Sequence, residues 1–347
     1  MNATLMRALC AGVYHSGLLG AAMGLTEPLR GNRTDGRFQI LVYHRVGERI
    51  DAFAPGTPVA VFERHMRYVR QQFRVLSLTE LLAATDRGAV PPRAVAVTFD
   101  DGYADTHEFA APILQRYRIP ATVYLATGLL ETDRPMWNDR VGVAIRDTTS
   151  ARLDGVPECG GLPLTTPEER RTALTRTLQA LKPLPPAERD ARADQLSQVL
   201  HVPLDRGPRM LCWRQVEEMR AGGVEFGAHT VHHPVLTAVS IEERRREIVD
   251  SKRVIEDRLQ APVRHFAYPF GRATDFDATT KRLVREAGFV SAVSMVFGTN
   301  TAATDRYALL RGGPWEETTA LFAAKLWWYR RAGLGAVPST EHAACVA

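Results

Sequence analysis

Apolar positions along the chain follow two alternating patterns. Short runs of small, β-branched or aromatic residues are typical of strands buried on both faces, and apolar residues three or four apart are typical of amphipathic helices. Strands are predicted at 38–46, 75–77, 94–99, 121–126, 223–228, 265–268, 289–293 and 309–311. Helices are predicted between most of them, at 61–73, 77–84, 105–117, 213–221, 240–259 and 281–287. This alternation predicts parallel β/α units.

Two acidic residues stand at the end of one apolar strand. Asp100 and Asp101 follow the run 94–99, and Gly102 comes directly after them. Neighbouring residues of a regular strand point to opposite faces, but a bend at glycine lets both carboxylates reach one site. Carboxylates at the end of an apolar strand are costly to bury unless something pairs with them. A lone Asp-Asp-Gly is more typical of a simple turn, so the prediction of a site depends on a second cluster.

That second cluster contains three histidines, His229, His232 and His233, which follow the predicted strand at 223–228. His229 and His233 are four residues apart, so one helical turn would place both imidazoles on the same side. Two histidines and one carboxylate form a facial metal site with positions open for water and substrate. The combination of the two clusters therefore favours metal binding.

At these residues the chain resembles a known family. The segments Thr98–Gly102 and His229–His233 resemble the first two motifs of the polysaccharide deacetylases, carbohydrate esterase family four, and Phe266–Gly271 resembles the third. The resemblance covers residues 38 to 313. It implies an α/β fold, a distorted (β/α) barrel of about seven parallel strands.

The resemblance also implies a reaction and the residues that perform it. The reaction is metal-dependent removal of N-acetyl groups from a saccharide, with release of acetate. Asp100 is expected as the general base, the Tyr103 backbone N–H as an oxyanion donor, and Asp101, His229 and His233 as metal ligands. Zinc fits this ligand set best, and cobalt or nickel could replace it.

Two family features lack an obvious counterpart. Many relatives carry an arginine in the third motif that orients the base, and Ala267 stands there in this chain, so Arg264 or Arg311 is expected to replace it. Many relatives also supply a late histidine as the general acid, but His342 lies in a tail without a strand pattern. His44, at the end of the first predicted strand, is the better candidate, although a purely structural histidine fits that position equally well.

The substrate-binding residues are also expected at the strand ends. Tyr268 and Pro269 resemble a variant found in relatives that act on exopolysaccharides, which favours such a substrate over a cell-wall glycan or a glycolipid sugar. Trp137 and Asn138 are predicted on a loop after the strand at 121–126, where they suit sugar stacking and hydrogen bonding. A tryptophan that only anchors this loop fits as well.

Segments outside the strand–helix rhythm set the domain boundaries. The barrel is predicted at 38–313 with a helical insertion at 147–209, an amphipathic helix and linker at 1–37, and a helix and tail at 314–347. Tyr14–Ser16 interrupts the first apolar run, which favours a helix on the barrel or a membrane surface over a signal peptide. A non-standard signal peptide is the alternative.

The C-terminal helix joins aromatics to cations, so it either packs on the barrel or lies at a membrane interface. We therefore expect a cytoplasmic or peripheral membrane protein.

Composition adds little to this picture. The 347 residues are 45% apolar and 24% charged, which is ordinary for a globular protein. The net charge of +5 mildly favours anionic partners such as membrane surfaces or acidic glycans, and no nucleic-acid motif accompanies it. The four cysteines are scattered, and nothing predicts an oligomeric state.

The expected partner is a carbohydrate substrate. The alternatives are a catalytically inactive glycan-binding barrel, which would not need the free base Asp100, and a deacetylase of a small amide.

Overall fold

The fold, described from a computed structural model over residues 36–48, 50–313 and 316–332, is built on parallel strands. In chain order the strands are β1 (Phe38–Tyr43), β2 (Val46–Gly47), β3 (Thr57–Pro58), β4 (Arg74–Val75), β5 (Ala94–Phe99), β6 (Ala121–Leu125), β7 (Arg152–Leu153), β8 (Leu162–Pro163), β9 (Glu225–Ala228), β10 (His265–Ala267), β11 (Ser291–Phe297) and β12 (Leu309–Arg311).

Seven of these strands form a nearly closed barrel in the order β1-β5-β6-β9-β10-β11-β12, with every pair parallel. The two ends meet at Gly312, whose carbonyl accepts from the Val42 N–H at 3.1 Å and whose N–H donates to the Ile40 carbonyl at 2.8 Å. The short β4 pairs with the first two residues of β5, before β6 begins to pair. The distorted seven-stranded (β/α) barrel predicted from the sequence is confirmed.

Side chains of the barrel strands divide between two apolar layers because successive residues point to opposite faces. In β5, Ala94 and Ala96 belong to one cluster, and Val95, Val97 and Phe99 pack in another with the helices. The cluster that contains Ala94 and Ala96 also contains the large ring of Tyr124. A Cβ on Gly227 would lie 2.5 Å from the ring of Tyr124, so only glycine leaves that ring its space.

The helices lie between and around the strands. They are α1 (Val59–Gln72), α2 (Leu78–Asp86), α3 (Ala111–Tyr117), α4 (Trp137–Asp147), α5 (Pro167–Leu181), α6 (Pro186–Val199), α7 (Trp213–Ala221), α8 (Ile241–Leu259), α9 (Ala278–Glu286) and α10 (Thr319–Ala332). Several start where the sequence predicts: the side chains of Ser77 and Thr166 form capping boxes, and Ser240 accepts from the Glu243 N–H.

Two local predictions are corrected. The expected single helix at 105–117 begins as one π-helical turn, Thr106–Ala110, before α3. Pro112 has no N–H to donate, so a regular hydrogen-bond ladder is interrupted at this point. The segment with Trp137 and Asn138 is the first turn of α4 and not a loop.

The segment predicted as a helical insertion contains α5 and α6, together with an antiparallel β7–β8 ribbon that was not predicted. Its apolar residues pack against α4 in a second hydrophobic cluster, separate from the main core. That cluster also includes Val235 and Phe270, which belong to loops at the mouth of the barrel. The insertion is therefore in direct contact with the region where the strands end.

The helix α10 packs on the barrel through Phe322, Ala323 and Leu326, which are fully buried in the main core. The Phe322 ring stacks on His65 with 3.8 Å between ring centroids. No helix within the described residues is long and apolar enough to cross a membrane. The predicted N-terminal amphipathic helix and His342 lie outside the described residues.

Candidate active site

The carboxyl ends of the barrel strands bring the predicted chemistry together. His44 follows β1, Asp100 and Asp101 follow β5, and His229 follows β9. Arg311 is the last residue of β12, which lies beside β1 at the closure of the barrel. Because all these strands are parallel, their carboxyl ends meet at one mouth, where barrel enzymes place their active sites.

Asp100 is buried and paired with Arg311. The two guanidinium nitrogens Nη1 and Nη2 of Arg311 donate to the two carboxylate oxygens at 2.7 and 2.6 Å, and both side chains are at most 2% exposed. The third nitrogen, Nε, donates to the Ser294 carbonyl at 2.8 Å and holds the guanidinium in place. Burial alone would raise the pKa of Asp100, but the charge and hydrogen bonds of Arg311 lower it. Asp100 is therefore a carboxylate at neutral pH.

Of the two arginines considered in place of the one that the third motif lacks, Arg311 is the one that pairs with Asp100. Arg264, the other candidate, is exposed and precedes β10, at the end of the barrel opposite the mouth. Ala267 contributes its backbone instead, since its carbonyl accepts a hydrogen bond from the Nδ1 of His229 at 2.7 Å.

The backbone bends directly after Asp100. Asp101 has a φ of 74° and Gly102 a φ of 87°, so both adopt left-handed conformations, which residues other than glycine rarely adopt. This turn carries the Asp101 carboxylate away from Arg311. Its Oδ1 lies 3.3 Å from the Nε2 of His229 and 3.3 Å from the Nε2 of His233. The two neighbouring acids therefore have separate partners.

The histidine segment is a loop and not the helical turn predicted from the spacing. Thr230 and His233 have φ values of 67° and 54°, and the Thr230 Oγ1 accepts from the His233 N–H at 3.0 Å. The two rings are nevertheless adjacent, in an edge-to-face arrangement with 4.8 Å between their centroids. His232 points elsewhere, toward Glu247.

The donor atoms of this group suit a divalent metal ion. Ligand atoms of Asp101, His229 and His233 all lie within 4.8 Å of one another, and all three residues are buried. Because a carbonyl can only accept, the His229 Nδ1 carries a proton, and its Nε2 is the nitrogen that faces Asp101. Burial lowers the pKa of His233 to about 3, so its ring is neutral, and its Nδ1 has no partner among the described residues. Burial would lower the pKa of His229, but the hydrogen bond to Asp101 and the charges of Asp100 and Asp101 raise it. Two imidazoles and a carboxylate form a zinc-type ligand set.

His44 stands at the rim of the site. Its Nε2 lies 3.9 Å from the Oδ2 of Asp100, and its side chain is 27% exposed. It lines a pocket at the mouth together with Arg45, Pro55, Gly56, Thr57, Asp101, Tyr103, Asn138 and Asp139. The structure therefore places His44 beside Asp100, at the mouth where β1 ends.

Tyr103 enters the same pocket through its backbone and its ring. It forms an antiparallel bridge with Met210, in which the flanking Ala104 N–H and Gly102 carbonyl make the hydrogen bonds. The Tyr103 N–H itself has no acceptor among the described residues, which suits an oxyanion donor. Its hydroxyl donates to the Oδ2 of Asp139 at 2.8 Å.

Three predicted substrate-binding residues are not brought into the pocket. Tyr268 is fully buried, its ring stacks on Phe276, and its hydroxyl donates to the Tyr307 carbonyl at 2.8 Å. Pro269 is buried beside it. Trp137 is 2% exposed in the second hydrophobic cluster, so neither face of its ring is open to a sugar. Of this set only Asn138 lines the pocket.

Asp139 and Arg45 also line the pocket, although no motif in the sequence predicted either of them. Asp139 is 3% exposed, and burial raises its pKa to about 7. Arg45 donates to Asp105 at 2.9 Å, and its guanidinium lies 5.5 Å from the centre of the Tyr103 ring. Asp139 follows Trp137 and Asn138 directly, so its proximity to a predicted binding residue was the available signal.

Comparisons with known proteins agree with this geometry. The family model named polysaccharide deacetylase matches residues 87–292. The Bacillus subtilis protein YxkH, which carries the same family name, is 20% identical over 277 residues, covering 79% of this chain and 70% of YxkH. A poly-β-1,6-N-acetyl-D-glucosamine N-deacetylase of Staphylococcus aureus is 37% identical over 68 residues, 19% of this chain and 23% of that enzyme.

The fold is also found among solved structures. The solved structure of IcaB from Ammonifex degensii superposes on this chain with a TM-score of 0.55 at 19% sequence identity, covering 84% of this chain and 98% of IcaB. The family model spans more than half of the chain and includes both the Asp100–Asp101 and the histidine motifs. The chain therefore belongs to the polysaccharide deacetylase family, whose members hydrolyse N-acetyl amide bonds of glycans.

Proposed function

We propose that this protein is a metal-dependent deacetylase of an N-acetylated saccharide, and that it releases acetate and leaves a free amine on the sugar. The observation that carries the proposal is the pairing of Asp100 with Arg311 beside the Asp101–His229–His233 group. A barrel that only binds glycans has no use for an oriented carboxylate next to a metal-type ligand set. This geometry favours catalysis over the glycan-binding alternative.

Asp101, His229 and His233 would hold the metal, with zinc the best fit to their oxygen and nitrogen donors and cobalt or nickel as replacements. When bound, such an ion polarises the acetyl carbonyl and lowers the pKa of a coordinated water toward about 7. Asp101 also lines the pocket that contains His44 and Tyr103, so the proposed metal position borders this pocket.

The remaining steps belong to residues of the chain. Asp100 accepts a proton from the attacking water while the oxygen of that water forms a bond to the acetyl carbon. Arg311 stabilises the orientation of the Asp100 carboxylate. The Tyr103 N–H donates to the carbonyl oxygen as negative charge develops on it. His44 donates a proton to the sugar nitrogen while the carbon–nitrogen bond breaks. Acetate and the protonated or neutral amine are the products.

An exopolysaccharide built from N-acetylglucosamine is the proposed substrate class. The support is the local similarity to the staphylococcal enzyme, whose name gives poly-β-1,6-N-acetyl-D-glucosamine as its substrate. The pocket offers polar groups suited to sugar hydroxyls, among them the Asn138 Oδ1, which is buried and has no partner among the described residues.

Acetate release from a panel of substrates tests this proposal. The panel contains β-1,6-linked N-acetylglucosamine oligomers, chitooligosaccharides and a small acetylated amine, each with the protein as purified, after chelation and after zinc is restored. We expect release from a saccharide that is lost on chelation and recovered with zinc. Binding of oligomers without any acetate release would support the glycan-binding alternative, and release only from the small amide would overturn the saccharide assignment.

A further inference from the structure

The loop that carries His233 is held from two sides by charged side chains of two different helices. One is Arg189 of α6, in the inserted segment, and the other is Glu247 of α8. We infer that Arg189 and Glu247 are positioning residues for the metal site, and that the inserted segment completes this site. The inference rests on the proposed metal centre, and it concerns how these residues of the chain support it.

Arg189 binds the carbonyl side of the loop. Its Nη1 donates to the His233 carbonyl at 2.8 Å and its Nη2 to the His232 carbonyl at 2.7 Å. The residue is 1% exposed, so water does not compete for these hydrogen bonds. One planar guanidinium thereby fixes two successive peptide groups next to the predicted ligand His233.

Glu247 binds the amide side of the same loop. Its Oε2 accepts from the backbone N–H groups of Val231 and His232, both at 2.8 Å, and its Oε1 lies 2.7 Å from the His232 Nδ1. The carboxylate is 5% exposed. Together, Arg189 and Glu247 satisfy four backbone groups within three consecutive residues.

The loop needs this support because its backbone is strained. Thr230 and His233 are non-glycine residues with positive φ, a conformation that costs about 1–3 kcal/mol and persists only where the surroundings enforce it. The strained conformation is also the one that places the Nε2 of His233 3.3 Å from the Asp101 Oδ1. Without the two charged side chains, the imidazole would sample other positions.

Arg189 is itself placed by the helix α4. Its guanidinium lies over the Trp137 ring at 5.1 Å, and Arg140 on α4 pairs with Asp190 and Asp194 on α6. These contacts give the buried Trp137 a structural role in place of sugar stacking. They also explain why α6, distant in sequence from the histidine loop, reaches it in a defined orientation.

The test compares substitutions at these residues with matched substitutions on the same helices. Arg189→Gln and Glu247→Gln remove the charged contacts with the loop. Arg192→Gln on α6 and Glu256→Gln on α8 are the controls: Arg192 pairs with Glu158, and Glu256 accepts from the Val263 N–H, both away from the loop. Arg189→Lys keeps the charge but not the planar pair of donors.

Two measurements apply to each full-length variant. The first is the dissociation constant for zinc, from competition with a chromophoric chelator. We expect about 10–100-fold weaker binding for Arg189→Gln and Glu247→Gln, a smaller loss for Arg189→Lys, and unchanged binding for both controls. Unchanged affinity in folded Arg189→Gln and Glu247→Gln would overturn the inference.

The second measurement is amide hydrogen exchange across residues 229–234 in the metal-free protein. We expect faster exchange of this segment in the two loop variants and not in the controls. Equal exchange in all variants would overturn the inference whether or not metal binds. Should the wild-type protein bind no metal while the exchange changes as expected, the metal assignment fails and the positioning of the loop stands. If Arg189→Gln does not fold, Arg189→Lys supplies both readouts.

Discussion

The fully buried Arg311 at the end of β12 donates two hydrogen bonds to the two carboxylate oxygens of Asp100, directly after β5, at 2.7 and 2.6 Å. These residues are 211 positions apart in the chain. The contact exists because β12 and β5 flank β1 where the barrel closes. It orients the carboxylate that we propose as the base and keeps it ionised.

Removing this arginine should reduce the fraction of Asp100 that is ionised. Burial raises the pKa of Asp100 and Arg311 lowers it, so Arg311→Gln leaves burial dominant and the pKa rises. A smaller fraction of Asp100 is then ionised at any given acidic pH. We expect the acidic limb of the pH profile of kcat/KM to move to higher pH and the rate at neutral pH to fall. Arg264→Gln, at an exposed position, is the control. If the wild type, Arg311→Gln and Arg264→Gln share the same acidic limb, the pairing of Arg311 with Asp100 has no part in catalysis.

Substitution of the proposed metal ligands should remove metal and activity together. In Asp101→Ala, His229→Ala and His233→Ala we expect loss of bound zinc by elemental analysis, along with loss of acetate release. His107→Ala is the matched control, because its ring pairs with Glu218 on α7 and not with Asp101. Stoichiometric zinc in all three ligand variants would place the metal elsewhere.

Asp100→Asn should separate chemistry from metal binding. The amide preserves the shape of the side chain but cannot accept a proton from water, so we expect turnover to fall by about 10²–10⁴-fold. Zinc content should remain that of the wild type, since Asp100 is paired with Arg311 and is not part of the ligand group. A near-native rate would exclude Asp100 as the base.

His44→Ala tests the general acid. An amine leaving group needs a proton, so we expect deacetylation of a saccharide amide to slow by about 10²-fold or more, with zinc retained. A nitrophenyl acetate releases a stable anion, so its hydrolysis should be affected much less. Equal losses with both substrates would indicate that His44 serves the structure of the site and not proton donation.

Asp139 should make stability depend on pH. Its pKa is about 7 in the folded protein against an ordinary value of 3.8, so the folded state holds a proton that the unfolded state has lost between about pH 4 and 7. The free energy of unfolding should therefore fall as pH rises through this range, by up to about 1.4 kcal/mol per pH unit.

The comparison that isolates this effect is Asp139→Asn. Urea unfolding of the metal-free proteins at several pH values should show a shallower decline for the variant. Asp105, whose pKa burial raises to about 6, is present in both proteins. Parallel pH dependences would show that Asp139 does not hold a proton near neutrality.

The sequence by itself determined the barrel and the chemistry at its mouth. Buried runs such as Ala94–Phe99 alternate with amphipathic segments, and that local pattern requires parallel β/α units. Asp100 and Asp101 directly follow β5 and His229 directly follows β9, so their arrival at one mouth follows from parallel pairing. Local spacing did not determine backbone conformation, however: the histidine segment is a strained loop and the Trp137 segment a helix.

Only the tertiary structure decided which distant residues complete the site. The choice of Arg311 over Arg264 depends on which end of a strand each occupies and on how the barrel closes. The contacts of Arg189 with the His232 and His233 carbonyls depend on packing between the inserted helices and the mouth. Tyr268 resembles a family motif in sequence but is buried, because its ring fills the core and its hydroxyl bonds to the Tyr307 carbonyl. Such contacts join residues far apart in the chain, and no local pattern encodes the burial and charge pairing that select them.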